Sequence, residues 1–126
     1  MKVVFFSESG IVGKVQRDFP NARNDIAWSI MMNADWCPYD NTPTDYYDLG
    51  VITIPKTRPD INVKELKKHC DKIAIMQEGP HWYFQDYTVE QQFQFVQTLR
   101  TADWVWCHNE SDVGYYEGLG CQDVRV

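Results

Sequence analysis

The chain has 126 residues, of which 44% are hydrophobic, 14% aromatic and 24% charged, with a formal net charge of −6. That composition supports one folded domain with a single core and excludes a disordered chain, which buries too little to offset its ordering entropy. The acidic balance, with no run of Lys or Arg longer than two residues, argues against a nucleic-acid surface, where Lys and Arg must displace counterions.

The opening KVVFF (2–6) predicts a buried strand. It has no long apolar leader, and no stretch of the chain reaches the roughly 18 apolar residues of a membrane span. A soluble, cytoplasmic protein is therefore expected. The next stretch, SESGIVGKVQ (7–16), places Gly10 and Gly13 ahead of a helical pattern, where a turn can cradle a phosphate or a sugar. It is not a P-loop, because two residues rather than four separate the glycines and Val15 stands at the magnesium-binding Ser/Thr position. No third glycine completes a dinucleotide fingerprint. A flexible loop with two turn glycines is the plainer alternative.

In NARNDIAWSIMMNA (21–34), Ala22, Ile26, Ile30 and Ala34 recur every four residues and predict a helix. DWCPYDNTPTDYY (35–47) is expected to be a long surface loop with room for one short strand. LGVITI (49–54) and KIAIM (72–76) are strand patterns. Between them Asn62, with Glu65 three residues on, caps a short helix bearing Val63, Leu66 and Cys70. Thr88 and Gln91 form a capping box for a helix through Arg100, with Val89, Phe93, Val96 and Leu99 as its expected apolar stripe. WVWCH (104–108) is a fourth strong strand. Asn109 and Asp112 open a further helix carrying Val113, Tyr116 and Leu119, which Gly118 or Gly120 ends, and DVRV (123–126) is a weaker final strand.

These strands are continuously apolar, as strands covered on both faces are. Alternating with helices, they predict an α/β fold: a three-layer Rossmann-like domain whose mainly parallel sheet has about five to six strands joined by right-handed crossovers.

In such sheets ligands bind beyond the carboxyl ends of the strands. Three loops should share that rim: 7–16, QEGPHWYFQD (77–86) and HNESD (108–112). Glu78, His81 and Asp86 are the acid–base candidates, since activating a hydroxyl needs a carboxylate or imidazole within hydrogen-bond reach. Trp82, Tyr83 and Phe84 offer flat faces for a sugar, and His108 and Glu110 line the third loop. Each has a plainer reading as well: aromatics that cover the core, carboxylates that satisfy loop N–H groups or cap helices, and a histidine hydrogen-bonded at a strand end.

The four cysteines contain no C-x-x-C pair, and Cys70 and Cys107 read as small core residues. A metal site from His69, Cys70, Cys107 and His108 would need residues at opposite ends of their elements, so no metal is expected. A phosphoacceptor receiver domain is excluded because FFSESG supplies only Glu8 after the first strand.

At QEGPHWYFQD, LRTADWVWCHNESDVGYYEGLG and DVRV the chain resembles the N-terminal, acceptor-side domain of a two-Rossmann-domain (GT-B-type) glycosyltransferase of a phage and marine-microbial group. The resemblance is best over residues 70–126 and one of layout only in the first 35. It implies a sugar acceptor of unspecified class bound by this domain, and a nucleotide-sugar donor bound by a second, C-terminal domain. The glycine loop would lie nearest the donor phosphates, Glu78 or Asp86 would serve as base, and Trp82 would be a stacking platform. The chain ends at Val126, in the strand that should lead toward the donor domain, so the expectation is half of an enzyme, inactive alone and without a cofactor of its own. The alternative is a stand-alone, non-enzymatic α/β module that binds a partner or forms a homo-oligomer through exposed surfaces.

Overall fold

The computed structural model describes residues 1–8, 12–14, 24–54, 61–76 and 86–126. Seven strands form one sheet: β1 (Val3–Ser7), β2 (Gly13–Lys14), β3 (Asp35–Pro38), β4 (Tyr47–Thr53), β5 (Cys70–Met76), β6 (Trp104–Trp106) and β7 (Val124–Arg125). Their spatial order is β2-β3-β1-β4-β5-β6-β7. All pairings are parallel except that of β2 with β3. Four helices join them: α1 (Asn24–Met31), α2 (Val63–Leu66), α3 (Val89–Thr101) and α4 (Val113–Gly118). The Rossmann-like α/β layout expected from the alternation of elements is the layout found.

Strand residues alternate between two cores. Val3, Phe5, Trp36, Leu49, Val51, Ala74 and Met76 pack with Ile26 of α1. Val4, Phe6, Ile52, Ile73, Ile75 and Val105 pack on the other face with Val63 and Leu66 of α2, Phe95 and Leu99 of α3, and Tyr116 of α4. Burial on both faces is why the strands read as unbroken apolar runs rather than alternating ones.

The short strand for which residues 35–47 had room is β3, but it lies beside β1 inside the sheet rather than in a surface loop, and Trp36 and Cys37 are core residues. Helix α3 begins as expected, with the Thr88–Gln91 capping box formed in both directions. Its buried side, however, is Phe95, Thr98 and Leu99, continued by Ala102, while Val89 and Phe93 are 84% and 66% exposed. The helix carries two apolar stripes. The one that prevails sets Phe95 edge-on against Tyr87, with ring centroids 5.9 Å apart, and brings the Thr98 hydroxyl to the Ile61 carbonyl.

Gly50, in the middle of β4, allows the helix-rich core to close. A Cβ there would stand 2.8 Å from Cys70 Sγ and Ile73 Cδ1 and 2.9 Å from Phe6 Cε2. Overpacking of this kind costs about 1–3 kcal/mol, so Gly50→Ala should lower the free energy of unfolding in urea by that amount. An unchanged urea midpoint would show that the three neighbours yield without cost.

The amino edge of the sheet is tied by charge. Asp35, at the start of β3, accepts the Tyr47 phenol at 2.6 Å and pairs with the Lys14 ammonium at 3.1 Å. Burial works to raise the Asp35 carboxyl, but its bonds from Tyr47 and Lys14 outweigh that and hold it below the usual carboxylate range. Burial and the Asp35 carboxylate together push Tyr47 up to about 12. Because the folded-state value of Asp35 is depressed, its stabilisation is complete above the unfolded value of about 3.9 and fades as pH falls through the folded one. Asp35→Asn should therefore reduce the acid-induced loss of stability below about pH 4, measured by urea unfolding at a series of pH values. An unaltered pH profile would place the acid sensitivity elsewhere.

Candidate functional site

Taken in chain order, the parallel strands wind in two directions. The connection from β1 goes outward to β3, and the chain then passes back over β1 to β4 before continuing outward through β5, β6 and β7. The reversal falls between β1 and β4, and in open α/β sheets the ligand crevice lies outside the carboxyl ends at such a reversal. The residues at that point are Ser7, which ends β1, and Thr53, which ends β4.

The register places these two side by side. Phe6 is paired with Ile52, so the next step of the ladder brings Ser7 next to Thr53. Alternation along each strand puts Ser7 on the same face as Val3 and Phe5, and Thr53 on the same face as Val51, which is the α1 side of the sheet. Thr53 is flanked on its other side by Met76, at the end of β5.

Tyr39, just past the end of β3, closes the opposite side. Its backbone N–H donates to the Ser7 carbonyl at 2.8 Å, and its phenol donates to the Thr53 carbonyl. Its ring packs against the core under α2, α3 and α4. One residue thus engages the terminal carbonyls of both β1 and β4. On the α1 side, the Ser7 and Thr53 hydroxyl oxygens are buried and have no hydrogen-bond partner among the described residues. Ser7 is only 1% exposed.

The expected site residues fall in three groups. Gly10, Glu78, His81 and Trp82 lie outside the described residues. Asp86, His108 and Glu110 are exposed and follow β5 and β6 in the chain. Asp86 does not cap α3, a role taken by Thr88. Gly13 is not on the rim. It adopts φ +121° in the short edge strand β2, opposite Trp36, a backbone conformation that favours glycine. Beyond β6, Asp112 is 2% exposed and accepts a 3.4 Å bond from the Asn109 side chain, so it belongs to the interior rather than to the rim.

Burial disfavours the thiolate at all four cysteines. Burial pushes the Cys70 thiol up to about 12 and Cys121 to about 11, and burial with the Asp112 charge raises Cys107. Cys37, Cys70 and Cys107 are buried, in accord with a core role. His69 precedes β5 and His108 follows β6, so the two histidines stand at opposite edges of these parallel strands. Among the described residues no group of three or more His, Cys, Asp or Glu side chains is placed to hold a metal ion. No helix among them is long and apolar enough to cross a membrane.

Compared with protein-family models, curated proteins and solved structures, the chain matches none.

Sequence reading missed Ser7, Thr53 and Tyr39. The first two leave a faint trace, a hydroxyl residue at the carboxyl end of an otherwise apolar strand run. Tyr39 is hidden by the loop-like composition of the stretch that contains β3.

Proposed function

We propose that this chain is the acceptor-binding half of a glycosyltransferase that uses a nucleotide-activated sugar, with the donor held by a separate domain. The observation that carries the reading is the polarity of the rim. Hydroxyls at Ser7 and Thr53, carboxylates at Glu8, Asp86 and Glu110, and the His108 imidazole cluster at or beyond the carboxyl ends of β1, β4, β5 and β6. The sequence also places Lys56 and Arg58 after β4, and Arg125, at the end of β7, pairs its guanidinium with Asp123. Carboxylates and hydroxyls are the groups that match the hydroxyls of a neutral sugar.

In transfer, the acceptor oxygen forms the new glycosidic bond as its proton passes to a base and the nucleoside diphosphate leaves the donor. Asp86 is the described candidate for that base, with His108 and Glu110 lining the acceptor. Glu78 and His81 are the further candidates from the sequence, with Trp82 as stacking platform.

A second reading, a non-enzymatic binding or oligomerisation module, is favoured by exposed apolar groups: Val89 and Phe93 on α3, and Trp28 and Met31 on α1. Saturation-transfer NMR separates the two, using glucose, galactose and N-acetylglucosamine beside UDP-glucose, with the solution mass measured on the same samples. The acceptor reading expects saturation of the free sugars and no preference for the nucleotide moiety. Signal confined to the nucleotide would overturn it, and silence from every sugar with a concentration-dependent dimer would hand the function to the module.

A further inference from the structure

The paired hydroxyls at the winding reversal make no hydrogen bond to the described residues. Buried polar groups in folded proteins nearly always have a partner, so one that lacks it calls for an explanation. Here there are two, Ser7 Oγ and Thr53 Oγ1, on adjacent strands, one step past the last paired residues and on the same face. Neither bonds the other. Tyr39 already occupies the backbone carbonyls of both residues from the opposite face, which leaves the side chains directed to the α1 side.

We propose that Ser7 and Thr53 together form a subsite for one hydroxyl group of a neutral polyol ligand, a claim that rests on the acceptor-binding reading above and assigns its contact residues. Adjacent strands lie about 4.8 Å apart, so a single oxygen set over the pair comes within about 2.8 Å of both hydroxyls. A ligand hydroxyl is a donor and an acceptor, as each protein hydroxyl is, so the three can satisfy one another whichever way their hydrogens point. A carboxylate or phosphate ligand fits less well, because both partners must then donate and Glu8 adjoins Ser7. The neighbouring groups on that face are apolar: Val51, which precedes Thr53 on the α1 side, and Met76, which is paired with it. Apolar walls with a few directed polar atoms are the usual make-up of a small-molecule site.

The test uses the complete 126-residue chain, labelled with nitrogen-15 and titrated with glucose, galactose, mannose, N-acetylglucosamine and glycerol, and separately with inorganic phosphate. At least one polyol should move the amide resonances of Ser7, Glu8, Thr53 and Ile54 saturably, and phosphate should not. Ser7→Ala and Thr53→Val should each weaken that binding roughly five- to hundredfold, the effect of removing one partner of a buried hydrogen bond, while Thr53→Ser should preserve it. Without ligand, the melting temperature of Thr53→Val should equal or exceed that of the parent, since the variant removes a buried hydroxyl that had no partner. If polyols bind but shift other resonances, or bind the variants unchanged, the subsite is overturned and acceptor binding stands. If no polyol binds, both fail. A lower melting temperature in both ligand-free Ser7→Ala and Thr53→Val would show that the hydroxyls serve the fold, through a fixed water for example, and would overturn the subsite as well.

Discussion

Tyr39 holds the carboxyl ends of β3, β1 and β4 in one arrangement. These three neighbouring strands belong to connections that run in opposite directions, and the pairing of β1 with β4 stops one residue short of their ends. By donating its amide to Ser7 and its phenol to Thr53, Tyr39 satisfies the terminal carbonyls of β1 and β4, one residue past the last pairing of those two strands with each other. Each such bond contributes about 1 kcal/mol, and an unmet buried carbonyl would cost more. The tie fixes the lateral spacing of β1 and β4 at the point where the fold places its crevice. The Tyr39 ring packs on the face under α2–α4, and the Ser7 and Thr53 side chains lie on the α1 face.

The chemistry follows from this positioning. Charge is segregated along the strands: the amino edge pairs its acids with lysines, as Asp35 with Lys14 and Asp103 with Lys67. The described carboxyl rim offers acids, an imidazole and hydroxyls instead. The cysteines take no part, since burial keeps their thiols protonated.

Much of the architecture was legible because local and tertiary signals agree. Continuous apolar runs such as KVVFF and KIAIM can only be strands buried on both faces, and the Thr88–Gln91 box marks the start of α3 independently of what α3 packs against. Legibility failed where the outcome depends on distant partners. Of the expected stripe Leu99 is buried and Val96 half-buried, but Val89 and Phe93 look as apolar as Phe95, and the positions of Tyr87 and Ile61 decide which of them is covered. β3 is masked by its Pro- and Asp-rich surroundings, although Trp36 and Cys37 alternate onto opposite cores. The direction of the strands was predictable from the alternation of strands and helices. The Ser7–Thr53 pair was not, because it exists only through a register set between residues 46 positions apart in the chain.

Native-state hydrogen exchange on the parent chain and on Tyr39→Phe tests this account most directly, because it reads the tie at the winding reversal residue by residue. If Tyr39 holds the strand ends, losing its phenol should speed exchange of the Tyr39 amide and of the last amides of β4, leaving β6 and β7 as protected as before. Unchanged protection at the ends of β1 and β4, or a uniform acceleration across the sheet, would contradict it: the spacing of the Ser7–Thr53 pair would then be fixed by something other than Tyr39.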